Sequence, residues 1–274
     1  VRWGVGGVGF SVLYNAALCL KSYFFGVRFQ PLLNFPRERV RLSVTSKLVL
    51  ATTLLLLVEG AVGFDLLQAT APGESFPAGE RISNAWFQSV TFRTAGFNTI
   101  DFRQVRAPTK LLAVLFMFVG ASPGSTGGGV KTVCFALVML TLISILRGRQ
   151  RVEIAARTIP DVLVNRALTI ISLALAVVMA ATMLLLLFEN RPERFLDHLF
   201  EATSAFGTVG LSTSVEVEPG VWVSTTQSLS PPSRIVIIAT MFLGRVGPLT
   251  LLIAMAGRMK EARYDYPYER VTLG

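Results

Sequence analysis

Histidine, cysteine and charge are all scarce in this sequence. One histidine and two cysteines occur in 274 residues. Both cysteines, Cys19 and Cys134, lie inside apolar segments, so the expectation is free buried thiols and no disulfide framework. A membrane-embedded enzyme needs His, Asp or Ser–His groups within its apolar segments for acid–base or nucleophilic work. The lone His198 stands at the edge of such a segment, which argues against an enzyme and reads as an interface residue rather than a ligand. Charged residues make up only 16%, against roughly 25% in a soluble domain. With 52% hydrophobic residues and a mean hydropathy of +0.57, this is the composition of a membrane protein. The net charge of +9 does not point to nucleic acid, because the basic residues fall in short blocks between apolar runs. The chain opens at Val1, part-way into an apolar run, without the charged leader and cleavage site of a signal peptide. The expectation is a fragment whose N-terminal part is missing.

What is present is a repeat. Phe92-Arg93-Thr94-Ala95-Gly96-Phe97-Asn98-Thr99 is answered later by Phe206-Gly207-Thr208-Val209-Gly210-Leu211-Ser212-Thr213. Phe92 matches Phe206, Thr94 matches Thr208, Gly96 matches Gly210 and Thr99 matches Thr213, all at one offset. Such an internal repeat governs the architecture.

The surrounding chain alternates between apolar spans and charged loops. Residues 3–20 are apolar and glycine-rich; Gly4, Gly6 and Gly9 satisfy G-x-G-x-x-G, but no strand precedes them and no acid follows at ribose spacing. Close helix packing explains them better. Residues 21–47 are basic and therefore cytoplasmic. A span runs from Leu48 to about Leu67, with Glu59 expected at a protein-facing or interfacial position. The loop to about residue 82 is Pro-, Gly- and acid-rich and is placed outside. Residues 83–92 are too short and polar to cross and read as a re-entrant half-helix, with Thr94–Thr99 returning as extended backbone.

Residues 107–146 form one apolar run broken by Gly120-Ala121-Ser122-Pro123-Gly124-Ser125-Thr126-Gly127-Gly128-Gly129-Val130-Lys131, which is a poor helix interior. Irregular backbone at membrane depth must be covered by protein or line a cavity. Residues 147–166 are basic again, 167–188 form a span, and about 195–206 form the second half-helix. Residues 214–231 are an outer loop. The last span, 234–257, is interrupted by Gly244-Arg245-Val246-Gly247-Pro248 and followed by a basic, aromatic tail. Arg103, Arg106 and Lys110 are the exception to the charge pattern, being basic on the expected outside.

Glycine after a half-helix allows backbone whose carbonyls point one way, and rings of such carbonyls replace the hydration shell of a potassium-sized ion. Neither repeated stretch holds a carboxylate, which argues against calcium. Re-entrant packing loops, with glycines for close approach, fit the same pattern.

Together the repeat, the broken run and the tail resemble the C-terminal half of a potassium-uptake subunit of the Trk/Ktr/HKT superfamily, over essentially the whole chain. The resemblance implies an all-α integral membrane protein of repeated M1–pore-helix–M2 units, potassium-channel-like, with broken M2 helices. Residues 1–20, including Gly6-Gly7-Val8-Gly9-Phe10, match the end of the second repeat, 48–147 the third and 167–257 the fourth. Residues 21–47 and 148–166 would be cytoplasmic linkers and 258–274 a cytoplasmic tail. It further implies an ion path lined by backbone of Thr94, Ala95, Gly96, Phe97 and Asn98 and of Thr208, Val209, Gly210, Leu211 and Ser212. The gate would be Gly120, Ser122, Pro123, Gly124, Ser125, Thr126, Gly127, Gly128 and Gly129, with Lys131 and Arg245 beside it.

Potassium would be the transported ion, with no cofactor in the chain. The partners would be a second copy, a cytosolic nucleotide-binding regulatory subunit and the lipid bilayer, and the location a prokaryotic inner membrane. In this family a residue of the first filter, absent here, is associated with the choice between sodium and potassium. A sodium-permeable or sodium-coupled relative is the nearest alternative, and a membrane enzyme or non-transport anchor a remote one.

Overall fold

The computed structural model describes residues 9–25, 42–69, 78–102, 105–149, 152–154 and 157–247. The expectations for Gly6–Val8, Arg103, Pro248, much of the first linker and the tail lie outside these residues. Helix α1 is Phe10–Phe25 and α2 is Val44–Ala69, followed by α3 at Ala78–Thr91. Next come α4, Ala107–Phe118, and α5, Thr132–Leu146, separated by an irregular loop. Helix α6 is Asp161–Glu189, α7 is Phe195–Gly207 and α9 is Pro231–Val246, with a single turn, α8, at Thr225–Ser228.

Two of these helices are long and apolar enough to cross a membrane, α2 with 26 residues and α6 with 29. At 1.5 Å per residue α2 is about 39 Å long, against a hydrocarbon core of about 30 Å. Leu54, Leu55, Val62, Met183 and Leu187 on them are exposed, as lipid-facing positions must be apolar. Glu59 is exposed too, so no protein face among the described residues covers it, and of the two positions expected only the interfacial one is left.

Both spans start earlier than hydropathy alone predicts, at Val44 rather than Leu48 and at Asp161 rather than residue 167. Polar first turns remain helical when their free N–H groups are met: Ser46 N–H donates to Ser43 Oγ (3.1 Å). Helix α3 likewise begins at Ala78, not residue 83, because Arg81 forms a two-pronged ion pair with Asp65 on α2, one prong at 2.7 Å. Helices α4 and α9 carry proline in their first turn, where a missing N–H costs nothing.

Residues expected as plain loops contain small sheets. Strands β1 (Glu153–Ile154) and β2 (Arg157–Thr158) pair antiparallel in the basic linker. Strands β3 (Ser214–Glu218) and β4 (Val221–Ser224) form a hairpin with Val215 opposite Val223 and Glu216 opposite Trp222. The alternation Val215-Glu216-Val217-Glu218 before Pro219-Gly220 is a hairpin signal that a reading by span and loop passes over.

Of the described helices, α7 is buried deepest, while α3 buries one face and leaves Ile82 and Trp86 exposed. In α7 every residue from Phe200 to Gly207 is buried. It packs against α4, α6 and α9, while α3 packs against α2. One core gathers Phe64, Phe92, Phe102, Met117, Phe200 and Val209; the other gathers Val130, Val178, Leu185, Phe206 and Ile237. The long helices therefore each back one half-helix, α2 behind α3 and α6 behind α7. An ion pair adds a polar clamp, Lys110 Nζ to Asp197 Oδ1 at 2.8 Å, joining α4 to α7. It gives one of the anomalous outer cations a partner.

Phe200 is fully buried with its ring 5.3 Å from that of Phe102. Phe200→Ala is expected to destabilise the protein by about 3–5 kcal/mol. A thermal melt in detergent, compared with the parent, measures it.

Candidate functional site

The two repeated stretches leave their helices in the same way. After α3, Ala95 N–H donates to Thr91 O (3.2 Å) and Thr94 takes a left-handed conformation, φ 67°. After α7, Val209 N–H donates to Ser204 O (2.9 Å) and Thr208 is left-handed, φ 50°. A left-handed residue lets the next N–H groups fold back onto the last carbonyls of the helix. The backbone therefore turns at Thr94 and Thr208 before it extends, which corrects the expectation of extended chain from Thr94 onward. Gly96 follows with φ 73° and Gly210 with φ 92°.

The stretches meet at these glycines. A Cβ on Gly96 would fall 2.4 Å from Val209 O and 3.5 Å from Gly210 Cα, so no side chain fits there. Phe97, Asn98, Thr99 and Gly210 are exposed, Ala95 and Ser212 half-buried, and Val209 and Leu211 buried.

Each stretch is fastened to its helix twice. Thr91 Oγ1 donates to Phe97 O (2.6 Å) and Gln88 Nε2 donates to Thr99 Oγ1 (3.2 Å). In the second unit Ser204 Oγ donates to Leu211 O (2.5 Å), and Glu201 Oε1 accepts from Thr213 N–H (2.8 Å). The fastened positions in the stretches, Phe97 and Leu211, then Thr99 and Thr213, correspond exactly under the repeat. The helix positions do not: the separations are 6 and 11 residues in the first unit and 7 and 12 in the second. Sequence reading missed Thr91, Gln88, Ser204 and Glu201. The only sequence signal was a carboxylate and an amide inside short buried segments.

The irregular loop between α4 and α5 lies against both stretches. Its ends are stitched by a parallel bridge between Val119 and Val130, with Gly120 N–H donating to Val130 O (2.9 Å). Ala121, Ser122 and Gly128 are buried, Pro123, Ser125, Gly127 and Gly129 half-buried, and Gly124 and Thr126 exposed. Gly128 N–H donates to Thr208 Oγ1 (2.9 Å), and a Cβ on Gly127 would lie 2.8 Å from Thr94 Oγ1. The two left-handed threonines thus form the seat of the loop.

Other groups hold the loop from its sides. Lys131 Nζ donates to Gly127 O (2.6 Å), buried Arg93 donates through Nη2 to Gly120 O (3.3 Å), and Phe10 N–H donates to Gly124 O (3.3 Å). Arg93, within the quoted repeat but not singled out, is the contact that sequence alone does not reveal. Arg245, exposed on the last turn of α9, is within electrostatic reach of Lys131, so two like charges flank the loop. His198 is buried, away from this loop. Among the described residues no group of three or more His, Cys, Asp or Glu is placed to hold a metal ion.

With this geometry in hand, comparison with known proteins is direct. The family model described as "TrkH: Cation transport protein" matches residues 5–265. The chain is 36% identical over 235 residues to Ktr system potassium uptake protein B of Vibrio alginolyticus, covering 85% of this chain and 49% of that protein. It is 34% identical to the potassium/sodium uptake protein NtpJ of Enterococcus hirae, covering 86% of this chain and 50% of NtpJ. It is 32% identical to Ktr system potassium uptake protein D of Bacillus subtilis, covering 98% and 54%. The crystal structure of the potassium transporter TrkH from Vibrio parahaemolyticus matches with a TM-score of 0.63 at 17% identity, over 92% of this chain and 50% of that one. This last likeness is one of fold. The chain spans about half the length of the curated relatives it matches. It belongs to the TrkH family of cation transport proteins, which makes it an integral membrane protein and not an enzyme.

Proposed function

We propose that this chain supplies the third and fourth repeats, residues 48–147 and 167–257, of a potassium-uptake pore. The observation that carries the reading is the meeting of the glycine stretches at Gly96 and Val209–Gly210, with the broken-helix loop seated directly on Thr94 and Thr208. Helices α3 and α7 act as pore helices whose C-terminal ends, partly negative, favour a cation. Carbonyls of Thr94 to Gly96 and of Thr208 to Gly210 replace part of the hydration shell of potassium. Phe97 and Leu211 carbonyls already accept hydroxyl hydrogen bonds, so they shape the path more than they line it. Asn98 and Ser212 form its outer edge. The loop from Gly120 to Gly129 obstructs the path below the filter, with Lys131 and Arg245 adding positive charge at the gate.

The basic linkers 21–47 and 148–166 and the tail 258–274 face the cytoplasm of a prokaryotic inner membrane. There they meet a nucleotide-binding regulatory subunit, with the pore protein itself a homodimer. Two relatives are named as members of a Ktr system, which supports a membrane subunit that works with partners. A second reading, a sodium-permeable transporter, is favoured by the name of NtpJ, a potassium/sodium uptake protein.

Rubidium uptake by the full-length parent in potassium-uptake-deficient bacteria separates the readings. Block by excess potassium and not by sodium is the expected result; equal block by both selects the second reading. Gly96→Ser and Gly210→Ser are each expected to loosen potassium over sodium discrimination by about tenfold or more, since a side chain at Gly96 displaces Val209 O and one at Gly210 is strained by its φ of 92°. Discrimination retained in both variants would remove the filter assignment. Deleting Gly124–Gly128 is expected to raise potassium flux by clearing the gate. Lower flux at normal membrane insertion contradicts that role.

A further inference from the structure

Glu201 lies in the middle of α7 with 3% of its surface exposed. Among the described residues no lysine, arginine or histidine forms an ion pair with it. Its carboxylate is met instead by uncharged donors. Oε1 accepts from Ser212 Oγ (2.7 Å), Thr213 N–H (2.8 Å) and Thr213 Oγ1 (3.3 Å). Oε2 accepts from Thr226 Oγ1 (2.5 Å). A buried carboxyl group is costly unless it is hydrogen-bonded, and here both oxygens are met.

This one side chain therefore joins three pieces of backbone: the middle of α7, the end of the second glycine stretch and the first turn of α8. The connection continues outward. Thr213 and Thr225 share a hydroxyl contact of 2.7 Å, and Thr225 N–H donates to Thr213 O (2.8 Å). The first unit has a neutral counterpart with far less in it. Gln88 makes a single 3.2 Å bond to Thr99, and its Oε1 finds no partner among the described residues.

We propose that Glu201 is a positioning residue of the pore, whose carboxylate pins the exit of the fourth filter stretch to α7 and α8 and so sets the ion preference. The assignment rests on the filter reading given above. Gly210 is exposed, and its backbone has little beside it: the nearest atom a Cβ there would meet is Gly96 Cα at 3.6 Å. Its position is held from residues 211–213, which Ser204 and Glu201 grip. Potassium and sodium differ in how many carbonyls reach them and at what distance, so a stretch released at its exit admits both.

The test uses the full-length protein, with Glu201→Gln and Thr226→Val as variants. Glu201→Gln keeps the shape and Oε1 while replacing the second acceptor oxygen with an NH2 donor. Thr226→Val removes one donor from α8, outside the ion path. Rubidium uptake is measured against rising sodium and rising potassium, and the ratio of the two inhibition constants is the readout. That ratio does not depend on how much protein inserts. It is expected to fall about tenfold in Glu201→Gln and about threefold in Thr226→Val. A ratio equal to the parent's in both variants, even with reduced insertion, overturns the assignment and leaves Glu201 a merely structural group. If Glu201→Gln fails to insert, the ratio in Thr226→Val decides alone. A parent that carries no rubidium overturns the transport reading itself, a result distinct from a parent that discriminates beside variants that discriminate equally well.

Discussion

Backbone that leaves a helix inside a bilayer has no water to bond, and this constraint bears on the irregular loop and on both glycine stretches. The loop between α4 and α5 meets it with donors from Arg93, Lys131 and Phe10 and with acceptors at Thr208 and at its own far end, Val130. The glycine stretches meet it with hydroxyls and amides projecting from the half-helices that precede them. The half-helices must then be polar on one face and wrapped by apolar helices on the other. Hence the inversion seen here, in which the 13-residue α7 is the most buried helix and the 26- and 29-residue spans are largely exposed.

Much of this was legible in the residues. Matching Phe, Thr, Gly and Thr positions located both stretches, and the glycine-rich interruption of an apolar run located the loop. Neither needs tertiary information, because glycine and proline announce where a helix cannot continue. Span boundaries were less legible. The first turn of α2 is polar and is held helical by a cap from Ser43, while α6 begins at Asp161 directly after Pro160, without a side-chain cap. The hairpin at Ser214–Ser224 was hidden by the habit of reading a polar segment between spans as loop.

What the sequence could not disclose was partnership at a distance. Lys110 looked like a misplaced cation until Asp197, far along the chain, was found beside it. Arg93 looked like a charged member of a repeated motif, and proved to reach Gly120. Glu201 drew no notice within the second half-helix, yet it grips Ser212, Thr213 and Thr226. Side chains of this kind announce their type in sequence but not their target, since the target is fixed by packing of elements that are remote in the chain.

The two units also differ in a way that bears on how such a repeated chain changes over time. Matching positions in the stretches are gripped from helix positions that have slipped by one residue between the units. One residue on a helix is a rotation of about 100°. The half-helix and the stretch after it are therefore a matched lock and key, cut separately in each unit. A stretch moved alone from one unit to the other would find an apolar surface where its fasteners should be, Ala202 and Ala205 in one direction and Phe87 and Val90 in the other. Inheritance and recombination in such a protein must act on helix and stretch together, and the repeats are free to diverge from one another only as whole cassettes.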